Sequence, residues 1–142
     1  MPTNATYAND QNIYQMPRNS PIEMFIPMLA PGLNGGKGLI RMHFHAYGKV
    51  KEAWIWAIKE QTRAKASVPC EIHVERRYAT HAMDLDNLYS TLKVPLDALR
   101  AAGVLVDDDP NCVENVSIKQ VKVKTRKEEG TFISIVSPHA QA

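Results

Sequence analysis

The spacing of apolar and polar residues changes along this chain, and each change marks an element. Between Tyr47 and Thr62, Val50, Ala53, Trp54, Ala57, Ile58 and Gln61 recur at helical intervals, while Lys51, Glu52, Lys59 and Glu60 fall elsewhere. That spacing predicts an amphipathic helix, in which Trp54 reads as a core residue rather than as a platform for stacked bases. From Val68 to Tyr78 the period becomes two. Ile72 and Val74 lie on one face, and Glu71, His73, Glu75 and Arg77 on the other, the pattern of a half-buried strand. Leu88, Leu92, Leu96 and Leu99 then return to a single helical stripe. With Asp86 or Asn87 as N-cap and Gly103 where a C-cap belongs, they predict a helix over 87–102. Pro95 lies inside it and predicts a kink or a late start. Upstream, a strand is predicted over 23–29, followed by the turn-forming PGLNGGKG. Downstream, Val121 and Val123 alternate with Lys122 and Lys124, Arg126, Lys127 and Gly130 form a turn, and a strand follows over 132–136. This reads as a hairpin with one basic face, and the slip of phase between Ile118 and Val121 predicts a bulge.

Composition narrows the picture. A chain of 142 residues suits one hydrophobic core. Residues 1–20, rich in Asn and Gln and without a period that buries a face, read as a flexible tail, leaving 21–138 as the domain. No apolar run reaches membrane-spanning length and the N-terminus lacks a secretory pattern, so a cytoplasmic location is expected. Cys70 and Cys112 are not spaced as metal ligands and read as free thiols.

The net charge of +2 conceals a sorting of charge along the chain. Basic residues dominate from Lys37 to Arg77 and again from Lys119 to Lys127. Between them lie Asp84, Asp86, Asp97, Asp107, Asp108, Asp109 and Glu114, against Lys93 and Arg100 alone. Such an acidic centre with basic arms suits a polyanion held by cations while carboxylates hold metal beside it. The candidate phosphate contacts are Lys37, Arg41, Arg76, Arg77, Lys122, Lys124 and Arg126. GLNGGKG, which carries Lys37, lacks the spacing of a nucleotide-binding P-loop and reads as a hinge or a substrate-contacting loop. His73 and His81 have no partner at ligand spacing and read as surface or supporting residues.

A helix over 87–102 is about 24 Å long. If 104–106 form a strand running back along it, the residues after Gly103 recover roughly 20 Å and carry Asp108 toward Asp84 and Asp86. Lys93 has two readings, one reaching over the acids and one pairing with Asp97 four residues on. Converging carboxylates require a cation, and hard oxygen ligands suit Mg²⁺, with Mn²⁺ as a substitute. Because Mg²⁺ commonly takes its remaining oxygens from phosphate, phosphate chemistry is the expected use. The Asp84-Leu85-Asp86 stretch lacks the glycine and closing glutamate of an EF-hand.

DLDNL at 84–88, a helix carrying Lys93 and Asp97-Ala98-Leu99, then Gly103 and Asp107-Asp108 resemble the signature of the RusA family of Holliday junction resolvases. The motif-bearing similarity spans about 70–110, and the order of elements extends it loosely over about 22–137. The resemblance implies an α/β (α+β) fold, a single small domain with a mixed sheet packed against two main helices. It also implies a homodimer that makes paired, Mg²⁺-dependent nicks in four-way junction DNA. Asp84, Asp86 and Asp108 would then be the metal-binding catalytic carboxylates, Lys93 the functional lysine, and Asp107 an assisting ligand. The chain departs from the family pattern in extra helical residues after Asn87 and in Asp109, which extends the second acidic group. Two other readings remain open: a DNA-binding protein of the same fold that does not cut, and another Mg²⁺ enzyme acting on nucleotides or sugar phosphates.

Overall fold

A computed structural model of the chain describes residues 20–32, 38 and 44–138. Its elements are β1 (Ile22–Ile26), α1 (Phe44–Gln61), β2 (Cys70–Tyr78), α2 (Leu85–Ser90), α3 (Lys93–Ala101), β3 (Val113–Lys122), a short 3₁₀ turn (Arg126–Glu128) and β4 (Gly130–Val136). The result is a mixed α+β domain in which one four-stranded sheet, ordered β1-β4-β2-β3, is joined to the helices by a single core. β4 runs antiparallel to both β1 and β2, and β3 runs parallel to β2.

The two periods dictate which side chains meet. Met24, Ile26, Cys70, Ile72, Val74, Ile133 and Ile135 fall on one sheet face, and Trp54, Ile58, Val94, Ala98 and Leu99 of α1 and α3 are buried in the same cluster. Gln61, at the end of α1, uses its side-chain amide as a substitute strand: its Oε1 accepts the Phe25 N–H at 2.8 Å and its Nε2 donates to the Phe25 carbonyl. That satisfies part of the outer edge of β1.

Two expectations are corrected. β3 and β4 do not pair with each other; they flank β2 on opposite sides. β4, FISIV after its first two residues, is apolar enough for a central place, whereas the polar, lysine-bearing β3 suits an edge. No bulge lies between Ile118 and Val121 either. The irregularity sits at the start of the β2–β3 pairing, between Cys70 and Glu71, and the register is continuous from Val74↔Ile118 to Arg77↔Val121. The slip of phase arises because Gln120 occupies a core-side position opposite Arg76.

The predicted helix over 87–102 is broken into α2 and α3 at Thr91 and Leu92. Pro95 has no N–H to give the Thr91 carbonyl, and its ring crowds that carbonyl, so the helix restarts with Pro95 in its first turn, where a missing donor is harmless. Around the break the bonding tightens to i→i−3: Thr91 N–H to Leu88 and Leu92 N–H to Tyr89. At the far end Gly103, at φ 83°, closes α3 with two bonds, Gly103 N–H to the Arg100 carbonyl and Val104 N–H to the Leu99 carbonyl. This is the predicted glycine C-cap, with Val104 and Leu99 both buried beside it. Cys70 and Cys112 are free thiols. Among the described residues, no helix is long and apolar enough to cross a membrane.

Candidate functional site

β2 ends at Tyr78, and the chain beyond it leads to the first acidic group along a fastened path. Gln120 of β3 grips Met83 at both backbone groups. Its Oε1 accepts the Met83 N–H at 2.8 Å, and its Nε2 donates to the Met83 carbonyl at 2.9 Å. Arg76 Nη1 donates to the same Gln120 Oε1 at 3.1 Å and to the His81 carbonyl at 3.4 Å. Asp84 therefore follows an anchored residue. Its Oδ1 accepts the Asn87 N–H at 2.9 Å, which makes it the N-cap of α2 in place of the expected Asp86 or Asn87. Leu85 is already helical, so only the carboxylate three residues before Asn87 can close that turn. Asp86 is left exposed in the first turn, where the helix dipole favours its charge, and makes no hydrogen bond or ion pair with the described residues.

Lys93 takes the second of its two readings: its Nζ lies 3.3 Å from Asp97 Oδ2. Asp97 also accepts the Tyr47 hydroxyl at 2.5 Å and lies 3.7 Å from Arg100. Burial alone would raise the Asp97 pKa, but the Tyr47 hydroxyl and Lys93 outweigh it and hold the carboxyl below the usual carboxylate range. The same contact, after burial, helps to push the Tyr47 phenol up to about 12.

The second acidic group has a different anchor. Arg100 Nη1 lies 3.7 Å from Asp107 and 3.3 Å from Asp108, and Asp107 accepts the Asp108 N–H at 2.7 Å. That backbone bond, reinforced by Asp108 and Arg100, holds the Asp107 carboxyl below its ordinary value. Asp109 is occupied with structure, since its side chain accepts from Asn111 and Cys112 and its carbonyl from Val113 to start β3. Residues 104–106 do not run back as a strand. Val104 and Leu105 turn into the core, and the Val104 carbonyl is taken by the Ala66 N–H at 2.8 Å. Asp109 is thus tied to Val113 and Met83 to Gln120, near opposite ends of β3 and some 23 Å apart along the strand at about 3.3 Å per residue. Among the described residues no three His, Cys, Asp or Glu side chains gather as metal ligands.

The end of the sheet from which the first acidic group departs also carries positive charge. The segment from β3 to β4 crosses the end of β2: the Val123 N–H bonds the Tyr78 carbonyl at 2.8 Å, and the Ala79 N–H bonds Glu129 Oε2 at 2.6 Å. Exposed Lys122, Lys124, Arg126 and Lys127 therefore share a sheet end with Asp84 and Asp86. The other expected cations are placed differently. Arg77 lies on the opposite sheet face, 2.7 Å from Glu75, with its guanidinium over Phe25 and Phe132. Arg76 is only 8% exposed, because its position faces the core side of β2, and it is not a surface contact. Lys37 and Arg41 lie outside the described residues. His73 bonds Ser117 at 2.7 Å and lies 3.4 Å from Glu71, which fits its reading as a surface residue, and His81 is exposed.

Gln120, Arg100 and Tyr47 were missed as organising residues. The only trace of Gln120 in the sequence was the slip of phase before Val121. A scan against protein-family models finds no match to this chain, and a search of curated proteins finds none.

Proposed function

We propose that the chain is a Mg²⁺-dependent endonuclease of four-way DNA junctions, acting as a homodimer in the manner of the RusA family it resembles. The observation that carries this reading is the placement, at the same end of the sheet, of the exposed Asp84 and Asp86 turn and the cationic crossover of Lys122, Lys124 and Arg126. Mg²⁺ is commonly held by one or two carboxylates, with water and substrate phosphate completing its shell, so this acidic pair is a sufficient protein contribution. Among the described residues Asp86 is unpaired and Asp84 uses Oδ1 for its cap, which leaves Oδ2 as a hard oxygen donor. When bound, the ion supplies Lewis-acid stabilisation for phosphodiester hydrolysis. The lysines and Arg126 hold the backbone phosphates and orient the strand over the acids. Asp107 and Asp108, held by Arg100 near the far end of β3, are not part of this acidic pair within one chain.

A second reading has its own support. Lys93 is satisfied by Asp97, and Asp107 and Asp108 by Arg100, as suits a protein that binds DNA without cutting it. Synthetic four-way junctions, linear duplex and free nucleotides, each incubated with and without Mg²⁺, separate the possibilities. Cutting of the junction, dependent on Mg²⁺, is the expected result. A junction bound but left intact supports the second reading, and turnover of free nucleotides moves the chemistry to small phosphates. In the same assay, Lys124→Ala is expected to weaken binding and lower the slope of log K against log salt by about one. An unchanged slope removes the crossover from the interface.

A further inference from the structure

The core loses its apolar character at one end of the sheet, across three neighbouring strands. Thr131 of β4, Arg76 of β2 and Gln120 of β3 stand side by side in register on the core face. Thr131 and Arg76 are buried, and Thr131 is spent on the Met28 carbonyl at 2.8 Å. Arg76 is the unusual member. Among the described residues its Nε is a buried donor without an acceptor, and none of the carboxylates in the salt bridges is its partner. Its guanidinium lies 5.4 Å from the centroid of the Tyr78 ring, but its hydrogen bonds go to neutral oxygens alone, an arrangement that costs desolvation without an ion pair to offset it. Its two acceptors are the His81 carbonyl and Gln120 Oε1, and the latter also receives the Met83 N–H. Every polar contact of this pair therefore ends on the segment that delivers Asp84 and Asp86.

We infer that Gln120, oriented by Arg76, is the positioning residue for the Asp84 and Asp86 carboxylates, fixing the Met83 backbone so that the pair is presented to a divalent cation in one arrangement. The inference rests on the proposed metal-dependent reading and adds residues to which that reading assigned no role. Without the Gln120 amide, Met83 is released at both its N–H and its carbonyl, and the chain entering the Asp84 cap is free to move. The carboxylates themselves are untouched. Residues that orient metal ligands from behind commonly change metal affinity by about 10–100-fold when removed. Burial holds the Arg76 pKa below its ordinary value while Glu129 and Tyr78 push it back.

The test uses the full chain and Mn²⁺ alone, followed by paramagnetic broadening of the Asp84, Leu85 and Asp86 amide signals. Gln120→Ala is expected to shift the Mn²⁺ midpoint upward by about tenfold or more and to speed hydrogen exchange at the Met83 amide. Gln120→Glu keeps the acceptor for the Met83 N–H and Arg76 but loses the donor to the Met83 carbonyl, and is expected to recover only part of the wild-type midpoint. In the cutting assay Gln120→Ala is expected to raise the Mg²⁺ requirement while leaving junction affinity in Ca²⁺ unchanged. A midpoint that does not move in Gln120→Ala overturns the inference, as does a wild-type chain whose acidic turn shows no Mn²⁺ broadening. A chain that binds Mn²⁺ as expected but cuts no junction overturns the nuclease reading and leaves the positioning role standing.

Discussion

If the proposed activity holds, Asp86→Asn is expected to lower junction cutting by about a hundredfold or more while junction binding is retained. The magnitude follows from the roughly 3 kcal/mol of transition-state stabilisation that a misplaced catalytic cation forfeits. Asp86 is the sharper probe of the two acids because it is exposed and has no bonding partner among the described residues, so removing its charge disturbs no packing. Asp84 carries a double load. Asp84→Ala removes the N-cap of α2 and is expected to destabilise the fold by about 1 kcal/mol, whereas Asn retains the capping oxygen. Single-turnover cleavage of a labelled junction, beside binding measured in Ca²⁺, separates the two effects. If Asp86→Asn cuts at the wild-type rate, the start of α2 is not the site of chemistry.

The largest effect on stability is expected at Trp54. Its side chain is 1% exposed and is one of the largest fully buried groups, lying in the core that joins α1 to α3 and the sheet. Trp54→Ala leaves a cavity that the surrounding elements fill only in part and is expected to remove about 3–5 kcal/mol. Against a typical domain stability of about 5–15 kcal/mol that is a large share. Urea unfolding followed by circular dichroism measures it as a fall in midpoint at constant slope. Trp56 is the internal control, being 61% exposed with Lys59 over its ring, so Trp56→Ala is expected to change stability by no more than about 0.5 kcal/mol. If Trp54→Ala instead leaves the midpoint unchanged and weakens DNA binding, Trp54 is a stacking platform and the core reading is wrong.

Local chemistry was legible in the sequence wherever a residue answers to its near neighbours. The period of Val50, Trp54 and Ile58 announced α1, the alternation around Ile72 and Val74 announced β2, and Gly103 marked the end of α3. Each depends on backbone geometry within one or two turns, which composition determines directly. Pro95 signalled an interrupted helix, although the position of the break needed the carbonyl of Thr91 to be identified as the group in conflict. The N-cap lies two or three residues before the expected Asp86 or Asn87 because Asp84, Asp86 and Asn87 are all good caps, and only the entry of the chain from Met83 selects among them.

Whatever joins distant segments was decided by tertiary structure. The apolar FISIV segment of β4 was readable as a strand, yet its place between β1 and β2 follows from the competition of all four strands for the centre of one sheet. That choice breaks the expected hairpin and lays the Lys122 to Lys127 segment over the end of β2 from which the chain leads to Asp84 and Asp86. It was also the core that drew in Val104 and Leu105, turning the chain from the path by which Asp108 was expected to return, and left Asp107 and Asp108 with Arg100. The sequence by itself determined which segments are helical or extended and where acid and base are concentrated, since these depend on neighbouring residues. Only the tertiary structure decided which of those charges stand together, because strand order and core burial are settled by the whole chain at once.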